Sequence, residues 1–207
     1  QILKCLPFKL TKSQEKVLNE INLDLKSDTR MFRIVQGDVG SGKTIVSLLS
    51  VANVIENDEQ CALMAPTEIL AKQHFDLAKK IFVDNKIKIE FLTGKTEVKK
   101  KKKIIHDLEN GNIDFIIGTH SLFQKKINFK KLGLAIIDEQ HKFGVKQRSE
   151  LAKKGGINCD VLLMSATPIP RTMMMSLYGD MDISKITEKP AKRKKIITLS
   201  KPEKKIN

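Results

Sequence analysis

Gly37-Asp38-Val39-Gly40-Ser41-Gly42-Lys43-Thr44 fits the spacing G-x-x-x-x-G-K-[ST] of a phosphate-binding loop. Its flanks agree with that assignment. Apolar Met31-Phe32-Arg33-Ile34-Val35 reads as a strand feeding the loop, and Ile45-Val46-Ser47-Leu48-Leu49 reads as the helix leaving it. In such a unit, successive backbone N–H groups and the positive end of the helix converge on phosphate oxygens. Lys43 then reaches the β- and γ-phosphates, and the Thr44 hydroxyl holds Mg²⁺. Gly40 and Gly42 stand where a Cβ would hold the backbone off the anion or exclude the φ angles the turn needs. Gly37, Asp38, Val39 and Ser41 complete the cradle. The expected ligand is a nucleoside triphosphate.

Leu134-Ala135-Ile136-Ile137 is a short apolar run without alternation, as expected of a central strand buried on both faces. It ends in Asp138-Glu139-Gln140-His141. Two adjacent carboxylates at the end of a buried strand are costly unless they have a task. Beside a phosphate loop, Asp138 suits the Mg²⁺ shell and Glu139 suits the attacking water, as base or orienting group.

Other strand–helix units repeat along the chain. Cys61 to Ala65 reads as a strand before a helix that begins near Glu68, and Ile87 to Leu92 as a strand before a Lys-rich helix. Asp114 to Ile117 and Val161 to Met164 read as further strands. Alternation of this kind implies a parallel sheet with right-handed crossovers, helices on both faces and ligands at the carboxyl ends of the strands. The chemistry-bearing segments fall there: the phosphate loop, Pro66-Thr67, Thr93-Gly94, Thr119-His120, Asp138-Glu139 and Ser165-Ala166-Thr167. Upstream, Val17, Leu18, Ile21 and Leu25 share a helical face, which Thr11 or Ser13 can cap.

The chain has 207 residues, 41% of them hydrophobic and 30% charged, as suits one substantial globular domain. No apolar run approaches the roughly 18 residues that span a bilayer, so no membrane role is expected. Gln1 begins neither with an initiator Met nor with a secretory pattern, so the chain reads as part of a longer protein. Cys5, Cys61 and Cys159 are odd in number and lack metal-ligand spacing; Cys61 and Cys159 adjoin apolar runs and are expected to be buried free thiols in a reducing cytoplasm. The net charge of +14 favours a polyanionic partner. Lysine dominates it, however, in a chain also rich in Asn and Ile, so genomic composition explains part of the excess. Lys99 to Lys103 is expected to be a solvated helix face, with Val98, Ile105 and Leu108 packed beneath. His74 and His106 are expected to be surface or packing residues.

Together these segments resemble the first motor domain of superfamily-two helicases, and within them the RecG family of bacterial branched-DNA helicases. The resemblance covers almost the whole chain. It rests on Phe8 through Gln14, the phosphate loop, Ala65 through His74, Leu92-Thr93-Gly94, Gly118 through Leu122, Asp138 through Val145 and Ser165 through Thr172. It implies a RecA-like α/β domain spanning residues 1–187. Residues 188–207 would then be a linker and the start of a second motor domain, with a wedge domain also lying outside this chain.

For the site, the resemblance implies ATP as the nucleotide, read by the two-sided amide of Gln14, and Lys43, Asp138, Glu139 and His141 as the catalytic set. Gln140 and Ser165-Ala166-Thr167 would couple the γ-phosphate state to DNA grip. Thr67, Thr93, Gly94, Thr119, His120 and Arg171 would contact a DNA backbone. The implied protein is a cytoplasmic monomer that remodels branched or duplex DNA in recombination and repair. The transcription-repair coupling translocases share Gly37 to Gly40 and Thr167 to Arg171, but more often have a second acidic residue before a glutamine after Asp-Glu. DEAD-box RNA helicases have alanine and aspartate after Asp-Glu, and fit less well. A nucleotide-binding module without motor activity would need the phosphate loop but not the other strand-end motifs.

Overall fold

Runs of β-branched and apolar residues four to six long, separated by helical stretches, fold into a single parallel sheet. The computed structural model describes residues 8–83, 86–124, 126–139, 159–167 and 181–188. Its strands are β1 (Phe32–Gly37), β2 (Gln60–Met64), β3 (Ile89–Leu92), β4 (Phe115–Gly118), β5 (Leu132–Ile137), β6 (Asp160–Ser165) and β7 (Asp182–Ile186). They lie in the order β3-β4-β2-β5-β6-β1-β7, with every neighbouring pair parallel.

Helices cover both faces, as the alternation implies. Successive strand residues point to opposite sides, so Val35, Leu63, Ile136 and Leu162 pack with Val17 and Ile21 of α1 (Lys12–Leu25) and Val46 of α2 (Lys43–Ile55). Ala71 and Ala78 of α3 (Glu68–Ile81) join the same layer. On the other face, Ile34, Ala62, Ile116 and Leu163 pack with Ile104 and Leu108 of α4 (Val98–Glu109). Of the residues expected beneath the lysines, Leu108 is buried and Ile105 packs partly buried against this layer, joined by Ile104, whereas Val98 in the first turn is 69% exposed. No helix among the described residues is long and apolar enough to cross a membrane.

β7 carries no clear hydrophobic pattern in the sequence. Asp-Ile-Ser-Lys-Ile has its two isoleucines on opposite faces, Ile186 in the core layer of α1 and α2 and Ile183 against the other layer, and Ser184 is buried between them. What holds the strand is Arg33, buried on β1. Its guanidinium donates to Asp24 of α1 at 2.6 Å and to Ser184 of β7 at 2.8 Å, and Ser184 Oγ donates to Glu20. Burial alone would lower the Arg33 pKa; the Asp24 bond and the charges of Asp24, Asp182 and Glu20 raise it on balance. The expected linker and second-domain start lie almost wholly outside the described residues.

Gly118, at the end of β4, allows a close approach that no other residue would. A Cβ there would collide with the carbonyl oxygen of Leu92 on β3, where Thr119 N donates at 3.3 Å. At the opposite end of β6, Asp160 accepts from Met31 N at 2.7 Å. Burial pushes its carboxyl up to about 6, with Glu59 and Asp24 adding repulsion and the Met31 bond and Arg30 opposing. The folded state thus keeps a proton that the unfolded chain releases between about pH 4 and 6, so this group's contribution to stability falls as pH rises through that window. Asp160→Asn keeps an oxygen for Met31 and removes the charge. It should raise stability at neutral pH by about 1 kcal/mol, discounted for partial exposure, and change it little near pH 4. Urea midpoints at the two pH values check this.

Candidate active site

β1 delivers Gly37, and the chain turns through Gly40 (φ 76°) and Gly42 (φ 94°) into α2. Gly42 is the N-cap, and no side chain caps the helix, so its first-turn N–H groups remain for a ligand. A Cβ on Gly42 would also run into the Gln14 amide. Lys43 is 9% exposed and folds back on the loop, its Nζ donating to Gly37 O at 2.6 Å and Asp38 O at 3.1 Å. Burial lowers its pKa, while the charges of Glu139, Asp138 and Asp38 raise it. Those three carboxylates therefore act on the same ammonium, which places the loop and the Asp-Glu pair in one site. Ser41 Oγ is buried without a hydrogen-bond partner among the described residues. An orphaned hydroxyl, an uncapped helix and a buried lysine fit a polyphosphate.

Gln14 sits against this loop from α1, 3% exposed. Its Nε2 donates to Ser41 O at 2.8 Å, and its Oε1 accepts from Thr11 N at 2.9 Å in a capping box with Thr11. One N–H and one lone pair of the amide remain beyond those bonds. The residue expected to read a base thus also props the phosphate loop.

β5 ends at Ile137, and Asp138 N donates to Met64 O of β2 at 2.8 Å. Asp138 Oδ1 accepts from Glu139 N at 2.9 Å, which steadies Glu139 in the left-handed region at φ 48°. Asp138 Oδ2 lies 2.7 Å from Nε2 of His74, a buried side chain on α3. His74, expected to be a surface or packing residue, thus has a buried carboxylate partner. Its place in the helix following Ala65-Pro66-Thr67, on the same face as Ala71 and Ala78, was the available signal. No group of three or more His, Cys, Asp or Glu able to hold a metal occurs among the described residues. Thr44 and Asp138 are the residues at this site that could hold a divalent cation beside a bound phosphate.

β6 places Ser165 beside Gln36 of β1, at the root of the phosphate loop. Ser165 Oγ lies 3.1 Å from both Thr167 O and Thr167 Oγ1, and accepts from Thr167 N at 3.3 Å. Ser165-Ala166-Thr167 is therefore a tight side-chain-closed turn at the end of the strand next to β1.

The remaining strand-end residues occupy the other half. β3, β4 and β2 are adjacent, so Thr93-Gly94, Thr119-His120 and Thr67 share one stretch of the carboxyl edge. Their hydroxyls are used locally. Thr67 caps α3 by accepting from Leu70 N, Thr93 accepts from Lys95 N, and Thr119 Oγ1 lies 3.3 Å from Ser121 Oγ. Thr93 and Thr119 are buried, whereas Thr67, Gly94 and His120 face solvent. Lys95 and Glu68 pair at 3.0 Å across this surface. Gln140, His141 and Arg171 lie outside the described residues. Cys61 and Cys159 are buried free thiols; burial drives the first well up and the second to about 12, so neither is a nucleophile.

The family model for the DEAD/DEAH box helicase matches residues 11–176. The chain belongs to the DEAD/DEAH box helicase family. In this member the box reads Asp138-Glu139-Gln140-His141. The ATP-dependent DNA helicase RecG of Aquifex aeolicus is 50% identical to it over 194 residues, 93% of this chain and 24% of that protein. The RecG of Thermotoga maritima is 47% identical over 207 residues, 100% of this chain and 26% of that protein. The chain thus spans about a quarter of the length of these curated relatives. Among solved structures, RecG bound to a three-way DNA junction superposes with a TM-score of 0.82 at 44% identity, over 94% of this chain and 26% of that one. The DUF1998 helicase MrfA bound to DNA gives 0.69 at 16% identity, over 90% and 29%, a likeness of fold alone. This helicase-family domain therefore has the RecA-like architecture that the phosphate loop and alternating strands imply.

Proposed function

We propose that this chain is the ATP-binding motor domain of an ATP-dependent DNA helicase or translocase that remodels branched DNA, such as stalled forks and Holliday junctions, in the bacterial cytoplasm. The observation that carries this is the division of one sheet edge. β1, β5 and β6 present the phosphate loop, Asp138-Glu139 and the Ser165 turn, while β3, β4 and β2 present Gly94, His120 and Thr67 alongside. A module that only bound nucleotide would have no use for the second half. The similarity to RecG, whose solved form holds a three-way junction, supports branched DNA as the substrate.

In this mechanism the N–H groups of α2 and the Lys43 ammonium bind the β- and γ-phosphates and offset their charge. Thr44 and Asp138 would hold Mg²⁺, which would supply charge neutralisation there. Glu139 orients water for in-line attack on the γ-phosphorus and takes its proton. His141 belongs to the same catalytic box. Gln140 and Ser165-Ala166-Thr167 sense the γ-phosphate and pass its loss to the DNA side. Thr67, Gly94, His120 and Arg171 meet phosphate oxygens, with the Thr93 and Thr119 hydroxyls shaping the turns that present them; such contacts carry no base information. A second motor domain supplies the arginine that completes the transition state, and a wedge domain engages the branch.

The test is ATP hydrolysis by the full-length protein with forked, linear and no DNA. Strong stimulation by forked DNA is expected, with very slow turnover by the isolated 207-residue chain. Absence of DNA stimulation in the full-length protein would reject the motor reading. Gln14→Ala should weaken ATP and GTP alike through the loss of its Ser41 bond. ATP should lose about ten-fold more, because a site built on hydrogen bonds to a base penalises their loss. Competition binding with the two nucleotides reads the difference, and equal losses would confine Gln14 to propping the loop.

A further inference from the structure

The nucleotide half and the DNA half of the sheet edge meet between β2 and β5, and one side-chain contact crosses that seam. His74 Nε2 lies 2.7 Å from Asp138 Oδ2, with both side chains buried. Asp138 follows β5 and belongs to the nucleotide site. His74 stands on α3, the helix that begins at Thr67 on the DNA half. The same helix is tied to the exit of β3 by the Glu68–Lys95 pair at 3.0 Å. The other Asp138 oxygen accepts from Glu139 N, so His74 is the partner that fixes the carboxylate from outside its own turn.

We propose that His74 is a positioning residue through which DNA seated on the β3-β4-β2 edge sets the carboxylate of Asp138. The inference rests on the proposed motor function. A shift of α3 on DNA binding carries His74 with it. Asp138 Oδ2 must then follow, or lose its partner in a buried setting where an unpaired carboxylate oxygen is costly. Because Asp138 N is anchored to Met64 O, the backbone stays and the side chain responds. Coupling of this kind is reciprocal, so occupied nucleotide tightens or loosens DNA by the same factor.

The experiment uses the full-length protein and a non-hydrolysable fluorescent ATP analogue with Mg²⁺, titrated with and without a forked DNA. The ratio of the two dissociation constants is the coupling factor. His74→Ala should bring that factor close to one, a loss of about five-fold or more where the wild type lies in the usual range of such couplings. DNA-stimulated kcat should fall with it, more than KM changes. His74→Gln, whose amide still donates to Asp138, should restore most of the factor, with thermal midpoints of all three proteins close together. If His74→Ala keeps the wild-type factor while DNA still stimulates the wild type, this inference falls and the motor function stands. If His74→Ala lowers nucleotide affinity and the thermal midpoint together and Gln does not rescue, the contact is only structural and the inference also falls. A wild type that shows neither coupling nor stimulation overturns the motor function itself.

Discussion

Lys43→Met in the full-length protein is expected to lower DNA-stimulated kcat about a thousand-fold, the scale set by removing one preorganised donor from a transferring group. Methionine keeps the apolar stem, so α2 and the core beneath it should fold as before. What disappears is the cation. Its Nζ now rests on Gly37 O and Asp38 O, ready to move onto an incoming phosphate without reordering a long exposed side chain. Burial lowers its pKa, three carboxylates, Glu139, Asp138 and Asp38, lie near enough to oppose that, and without the ammonium they would repel the triphosphate. Nucleotide affinity should therefore fall too, by about ten-fold for a partly desolvated charge contact. Single-turnover hydrolysis and analogue binding separate the two effects. A kcat within ten-fold of wild type would remove Lys43 from the chemistry.

Glu139→Gln should behave differently. Hydrolysis should drop by about a thousand-fold, within the range for loss of a general base, while ATP and DNA binding stay near wild type. Glutamine has the same length and can hold the same backbone conformation at φ 48°, because the bond that steadies it runs from Glu139 N to Asp138 Oδ1 and does not use the side chain. The variant should accumulate ATP-bound protein on forked DNA, visible as retained nucleotide in a filter assay and as a missing burst of phosphate. Loss of ATP binding equal to the loss of turnover would assign Glu139 to binding, not water activation.

The parts legible in the sequence were those where local pattern and chemistry coincide. A Gly-rich turn between an apolar strand and a helix has few other uses, and Leu134 to Asp138 announces both a buried strand and its charged exit. The less legible parts depend on what lies across the fold. β7 escaped notice because an edge strand is half polar and its anchor, Arg33, is remote in sequence. On α4, Ile105 and Leu108 pack as their spacing implies, but Val98 does not, because lysines surround Val98, Ile104 and Ile105 alike and only the sheet decides which of them packs. Thr93 and Thr119 sit at the expected strand ends, yet the close approach at Gly118 buries them, leaving Gly94 and His120 outward. His74 was invisible for the same kind of reason: its partner is 64 residues away.

The position of β1 has a consequence for how the chain becomes a protein. Its neighbours in the sheet are β6 and β7, so Ile34 must wait for Leu163 and Ile183 before either of its edges is paired. At about 5–20 residues per second, the ribosome leaves the strand that carries the phosphate loop without partners for on the order of ten seconds. Few contacts are local in such an order, so the nucleation that fixes β1 comes late and the folding barrier is high. During that interval an apolar strand with two open edges is available to other chains. Truncation ahead of Asp182 would make the interval permanent on one side, exposing Arg33 and the β1 edge together. Among the described strands, the last in the chain is thus the one that pairs the outer side of the strand carrying the phosphate loop.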